Sequence, residues 1–398
     1  MLQEQHHPDG FGSTGSSGAA QPAPPPALVE LAALANFRFN GKQPWDMQVY
    51  AAEAYQRILA GGSLGLGESF IDGQWDAAQV DELINRILRA RVDNKLHHSL
   101  RLRLVLAGIS GYLRNRLRNR QTRRRAREVG ERHYDIGNDI YRAMLDPSMS
   151  YSCGYWEFAD NLAAAQQAKL DLICRKLKLQ PGDSLLDIGC GWGGLAEFAA
   201  RNYAARVTGI TVSKEQAALA RERLSGLPAT IELMDYRALK GQFDKVVSVG
   251  MFEHVGPKNY RTFFRKTRKL MKPEGLFLLH TIGEYRTSTR GEPWIYKYIF
   301  PNGKLPSAKR IATSFEGLFT LQDWHNFGPD YDRTLMAWWE NFDRAWPELK
   351  GAHYDEHFYR MWKYYLQCCA GFFRSGRGQL WQIVFSGSGL RETYRSVR

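Results

Sequence analysis

Long apolar runs are missing from this chain: nowhere do its 398 residues reach the ~18 predominantly apolar residues that a membrane-spanning helix requires. The N-terminus lacks a basic stretch followed by an apolar one, so no secretory leader is expected. Cysteine is scarce. The five residues, Cys153, Cys174, Cys190, Cys368 and Cys369, show neither metal-binding pairs nor a disulfide ladder. A reducing cytoplasm is the natural compartment, and any membrane contact has to be peripheral. Acidic residues vanish between Asp93 and Glu128, while Lys95, Arg101, Arg103, Arg114, Arg116, Arg118, Arg120, Arg123, Arg124, Arg125 and Arg127 fall inside that window. Without them the formal charge of +13 falls close to neutral. The basicity is therefore local, and it points to a phosphate-bearing partner, a membrane surface or a nucleic acid, with a solvated basic helix as the bland alternative.

Aromatic residues are plentiful, at 13%. They suit either a large core or an apolar pocket whose ring faces meet a lipid chain or a developing cation. Residues 1–27 are rich in Gly, Ser, Ala and Pro and bury too little to offset their ordering entropy, so disorder is expected there. From Leu28 to about Tyr112 the apolar spacing is helical, as in Leu28–Leu34 and Val80–Leu88, with loops expected at Gly61-Gly62 and Gly65-Leu66-Gly67. A basic linker, 113–132, follows this small helical domain. The catalytic domain is expected over 133–398. From Asp183 short apolar strands alternate with amphipathic helices: Ser184–Ile188, Ala205–Ile210, Thr230–Met234, Phe243–Val249 and Leu276–His280. Two more, Phe319–Trp324 and Leu380–Phe385, flank a long aromatic-rich helical insertion. The expected fold is α/β, a seven-stranded doubly wound sheet with an antiparallel pair at its edge.

Leu185-Leu186-Asp187-Ile188-Gly189-Cys190-Gly191-Trp192-Gly193-Gly194 closes a strand and opens a helix, where glycines let backbone approach a ligand. Gly189, Gly191 and Gly194 also satisfy a dinucleotide fingerprint, so the glycines alone decide little. Asp187 decides more, because a carboxylate there repels a pyrophosphate but attracts the methionine ammonium of S-adenosylmethionine. A dinucleotide site also wants an acid about 20 residues on, and Val207–Thr211 offers none. Most methyltransferases of this kind place an acid after the second strand too. Here Thr211, Ser213 and Gln216 stand instead, and the Gln216 amide could bond the ribose without charge. Asp235 and Tyr236 follow the third strand, on the adenine side.

Taken together, the segments Gly62–Ser69, His133–Asp139, Tyr151-Ser152-Cys153, Leu186–Gly194, Gly250–Gly256, Leu279–Gly283, Tyr298–Gly303 and Trp324–Gly328 resemble the bacterial cyclopropane-fatty-acyl-phospholipid synthases. The resemblance runs from about Leu28 to the end. It implies a helical N-terminal domain that handles lipid, a methyltransferase domain using S-adenosylmethionine, with Tyr151 and Ser152 beside the donor, and a homodimer. It also implies a bicarbonate ion held by Cys153, Glu253, His280, Ile282 (through backbone) and Tyr331, and an activity-related Cys369 whose neighbour Cys368 is an equal candidate for that match. All five bicarbonate positions match the family.

The implied chemistry needs such groups. An alkene is a weak nucleophile, so a sulfonium has to be held in line with it in a dry pocket. Methyl transfer leaves a carbocation that aromatic faces stabilise without capturing. A base then takes a proton so that the ring closes, and Glu253, His280 and Tyr331 would orient bicarbonate for that task. The expected partners are unsaturated phospholipids and an anionic lipid surface contacted through Arg114–Arg127, at the inner face of the membrane. A nucleic-acid methyltransferase is the main rival, but Gly250-Met251-Phe252-Glu253-His254 lacks the Asn-Pro-Pro-Tyr type of motif found there in amino-methylating DNA enzymes, so no nucleic-acid partner is expected. A lipid carrier would leave the donor loop unexplained. A lipid methyltransferase without ring closure fits the sequence equally well.

Overall fold

The computed structural model describes residues 23–90, 137–288, 291–351, 353–390 and 392–398. The tail as far as residue 22 and the basic segment 113–132, with its Arg114–Arg127 run, lie outside the described residues. The last residues of the tail expected to be disordered, 23–27, are described, and helix α1 already begins among them. Pro26 opens helix α1 (Pro26–Ala35), a position where its missing N–H costs nothing, and Asn36 in the left-handed conformation closes it.

The helical unit continues with β1 (Gln48–Val49), α2 (Glu53–Gly61), α3 (Ser63–Ile71), β2 (Trp75–Asp76) and α4 (Val80–Arg89), β1 and β2 pairing antiparallel. Gly62, at φ 57°, makes the break between α2 and α3. Gly65 and Gly67, expected in a loop, lie inside α3. Their bareness serves packing: a Cβ on Gly65 would strike the Arg57 carbonyl of α2, and one on Gly67 would strike the Trp294 indole.

The second unit begins with α5 (Asn138–Met144) and α6 (Leu162–Lys176), the latter capped by the Asn161 side chain. Alternation then follows as β3 (Ser184–Ile188), α7 (Gly194–Tyr203), β4 (Arg206–Thr211), α8 (Lys214–Arg223), β5 (Ala229–Leu233), β6 (Phe243–Val249), α9 (Tyr260–Leu270) and β7 (Met271–Glu284). The chain ends through α10 (Pro293–Tyr298), α11 (Ala308–Phe315), β8 (Thr320–Asn326), α12 (Pro329–Leu349), α13 (Glu356–Arg374) and β9 (Gly378–Ser386). The seven strands lie in the order β5-β4-β3-β6-β7-β9-β8. β9 enters between β7 and β8 and runs antiparallel to both. The antiparallel edge pair is therefore present, with β9 alone reversed. Predicted strand limits lie within two residues of the observed ones except at β7, which begins five residues earlier and ends four later.

Consecutive residues of β3 face opposite sides of the sheet: Leu185 joins a core with Ile173, Ala196 and Val207, and Leu186 one with Phe263, Phe277 and Phe385. A third core contains Trp75 and Leu83 of the helical unit together with Trp338, Trp362 and Phe373 of α12 and α13. Arg374 ties the same elements, 2.6 Å from Asp81 and 2.8 Å from Asp332. The N-terminal helices are thus packed on the insertion that closes the carboxyl edge of the sheet, the edge at which open α/β sheets bind ligands.

Candidate active site

A cavity of about 690 Å³ is walled by the ends of β3, β4 and β6 together with residues of α3, α4, α12 and α13. Asp187, 2% exposed, is the penultimate residue of β3, and its Oδ1 has no hydrogen-bond partner among the described residues. Burial pushes its carboxyl up to about 7 against the pull of the Lys169 cation. Gly189, Gly191 and Gly193 all have positive φ, at 88°, 54° and 84°. Gly189 and Gly191 line the cavity, and a Cβ on Gly191 would meet open space there; Gly193 instead faces Ala220 of α8. The Gly191 backbone is therefore open to the cavity.

Thr211 and Gln216 both face the cavity, Thr211 Oγ1 donating to Gln216 Oε1 at 2.9 Å, which leaves the amide NH₂ for a ligand. Ser213 lies behind them as the N-cap of α8, accepting from Gln216 N–H at 3.2 Å. Asp235 and Tyr236 reach the wall, but the Asp235 carboxylate is gripped by Arg237, whose Nη2 lies 2.6 Å away. Tyr151 and Ser152 complete this side. Tyr151 shares a 2.7 Å hydrogen bond with Tyr365, and Ser152 Oγ accepts from Lys169 Nζ at 3.0 Å.

Glu253 sits in the single turn Phe252–His254 just beyond β6, the strand beside β3. Its Oε1 accepts from Ile282 N–H at 2.7 Å, while the buried Oε2 has no partner among the described residues. Burial pushes this carboxyl up to about 7. Ile282 and Tyr331 share the wall, and the Ile282 N–H serves Glu253 directly. His280 is buried just outside the cavity's lining residues. Its Nδ1 faces the Gln382 amide nitrogen at 3.3 Å, which puts the ring proton on Nε2, and Nε2 has no partner. Burial and the nearby lysines Lys169 and Lys176 keep the ring neutral. Cys153 is also behind the wall, its thiol donating to the Gly154 carbonyl at 3.1 Å and lying 3.7 Å from Thr334 Oγ1. Cys368 and Cys369 both reach the cavity, and burial raises both thiols, Cys369 to about 12, so both are neutral.

Sequence reasoning missed Lys169 and His254 as site residues. His254 lines the cavity, with Nδ1 unpartnered and the ring driven down to about 4 by burial. The legible signal for Lys169 is a lysine on the apolar stripe of α6, between Ala165 and Ile173.

A doubly wound sheet with a buried carboxylate and a glycine loop at its carboxyl edge defines a class I S-adenosylmethionine-dependent methyltransferase. The chain belongs to the mycolic acid cyclopropane synthetase family, whose sequence pattern matches residues 121–383. It is 54% identical over 357 residues to the cyclopropane-fatty-acyl-phospholipid synthase of Escherichia coli K12, covering 90% of this chain and 92% of that one. Among solved structures, the cyclopropane synthase MmaA2 from Mycobacterium tuberculosis is 34% identical with a TM-score of 0.62, covering 65% of this chain and 97% of that one. Mycolic acid cyclopropane synthase CmaA1, complexed with SAH and CTAB, is 32% identical with a TM-score of 0.60, over 65% of this chain and 97% of that one.

Proposed function

We propose that this enzyme transfers a methylene group from S-adenosylmethionine to the cis double bond of unsaturated phospholipid acyl chains, leaving a cyclopropane ring. One observation carries the reading: a single apolar, aromatic-walled cavity contains both the Asp187 glycine loop and a second buried carboxylate, with an oxygen unpartnered among the described residues. The identity to the Escherichia coli synthase supports the same substrate class.

When bound, the donor supplies an electrophilic methyl on a sulfonium. Asp187 would attract its ammonium, and Gly191 gives it room to approach the backbone. Leu66, Ile84, Ile87 and Phe372 offer the acyl chain an apolar wall and exclude water. Tyr151 and Tyr365 present aromatic rings that tolerate positive charge developing on that chain.

Bicarbonate would supply a base small enough for this pocket. The residues fit it: Glu253 Oε2 is an open acceptor for a hydroxyl, and His280 Nε2–H is an open donor, both buried and both without a partner among the described residues. Tyr331 lines the cavity, and burial keeps its hydroxyl protonated as a donor. Ile282, by holding Oε1, aims Oε2. Cys153 supports this corner through Thr334.

No helix among the described residues is long and apolar enough to cross a membrane. The local excess of basic residues supports a further part of the proposal, peripheral docking on anionic lipid through Arg114–Arg127 at the inner face of the membrane, and the family resemblance supports a homodimer. The test is incubation with S-adenosylmethionine and vesicles of unsaturated phospholipid, followed by mass analysis and proton resonance of the lipid. The expected product has gained one CH₂, lost its vinylic protons and acquired cyclopropyl ones. A methyl-branched product that keeps its alkene would overturn the ring closure.

A further inference from the structure

Lys169 is a buried cation for which the mechanism so far has no use. It is 2% exposed, lies on the inward stripe of α6 and lines the cavity. Its one hydrogen bond among the described residues goes to Ser152 Oγ, at 3.0 Å. An ammonium has three protons to place, and burying one with a single neutral partner is costly unless something else in the site needs the charge. One turn earlier on the same stripe, Gln166 Nε2 donates to the Ser152 carbonyl at 2.8 Å and to that of Ser150 at 3.3 Å. Helix α6 therefore grips the Ser150–Ser152 strand by backbone and side chain together. The Lys169 charge also acts on Asp187, which lines the same cavity.

We propose that Lys169 is a positioning residue for the methyl donor: it couples the carboxylate of Asp187 to the Tyr151–Cys153 loop and fixes Ser152 with its hydroxyl proton turned to the ligand. Because Ser152 Oγ already accepts from Lys169, its own proton is left to donate, and the natural acceptor is the carboxylate of an amino-acid ligand. Asp187 meets the ammonium of that same ligand. The pocket thereby presents an anion and a cation-held donor to the two ends of a zwitterion. This inference rests on the donor site proposed above.

The groups facing the pair are few. Asp187 meets Lys169 and the thiols of Cys174 and Cys190, both pushed up by burial and therefore neutral. Lys169 meets Asp146, Asp187 and Cys153 and is drawn down to about 8, while His280 beside it is uncharged. Burial raises both Asp187 and Glu253 of this cavity to about 7, and Asp187 is the one beside the glycine loop. Below pH 7 the donor's own ammonium stays protonated, so an acid limb of donor affinity that Asp187→Asn removes and Glu253→Gln keeps reports Asp187.

The experiment measures S-adenosylmethionine affinity by calorimetry on the full chain from pH 5.5 to 8. Wild-type affinity should rise through about 7 as Asp187 ionises. Lys169→Met should weaken binding roughly tenfold at neutral pH, the equivalent of one pKa unit, and move the rise to higher pH because Asp187 has lost its cation. Unchanged affinity, or weaker binding with the acid limb unmoved, overturns the proposal. Should Lys169→Met fail to fold, Ser152→Ala carries the test: affinity has to fall with the limb in place, and full affinity overturns the proposal. Asp187→Asn separates the two readings. If it binds like wild type, the donor site itself is misplaced; if it loses the limb while Lys169→Met keeps it, only the role of Lys169 is wrong.

Discussion

Glu253 has one oxygen committed to the Ile282 N–H and the other open inside an apolar pocket. That asymmetry makes it a positioned acceptor, and substitution by an amide tests it. Glu253→Gln should leave S-adenosylmethionine affinity close to wild type while turnover falls about a hundredfold, the loss expected when a reacting group is misplaced by an ångström. The sign of the pH dependence follows from burial. With the carboxyl raised to about 7, the open oxygen is a full acceptor only above that pH, so wild-type turnover should climb through about 7. The glutamine variant should lack that limb. Rapid turnover by Glu253→Gln would mean that another group handles the proton. At this scale the sequence is uneven in what it shows. Asp187 and Gly191 are legible because strand, loop and helix are contiguous, whereas Tyr331 and Cys369 come to the pocket from α12 and α13 and are found only through the family resemblance. Ser213, expected among the donor contacts, is used up as a helix cap.

Elements explain the glycines. Gly65-Leu66-Gly67 has the composition of a loop, yet it lies inside helix α3, where α2 and Trp294 press so close that only hydrogen fits at the two glycines. Gly67→Ala should therefore separate α3 from α10 and cost about 1–3 kcal/mol, the usual range for overpacking. A lowered melting temperature, together with lost discrimination among acyl chains, is the expected outcome, since Leu66 of α3 lines the cavity. A variant as stable as wild type would show that the two helices can part without cost. The strands, by contrast, are read closely from apolar runs, because a parallel sheet buries both faces and writes both into the sequence. What those runs leave open is where β9 inserts: its pairing with β7 and β8 depends on partners 55 to 110 residues away in the chain.

At the scale of the whole molecule, charge and apolarity are segregated. The described core is aromatic and its cavity largely apolar, while eleven basic residues crowd into one segment. If Arg114–Arg127 docks the enzyme on anionic lipid, vesicle binding should fall as salt rises, since screening acts over roughly 8 Å at physiological strength. Each such residue is worth about 1 kcal/mol near the surface, so replacing four arginines by glutamine should weaken binding by up to roughly a thousandfold. Sedimentation with neutral and anionic vesicles checks this; equal, salt-insensitive binding to both would assign the run a structural role.

The sequence by itself determined the alternation of strand and helix, the glycine loop with its carboxylate, and the confinement of basic charge, because each is written in neighbouring residues whose spacing sets their geometry. Only the tertiary structure decided that the N-terminal helices share a core with α12 and α13, that Glu253 keeps one oxygen open while Ile282 holds the other, and that a lysine of α6 lines the same cavity as Asp187. Those facts depend on which groups meet after the chain has closed on itself. They also depend on which buried polar atoms then find partners, and no local pattern records that.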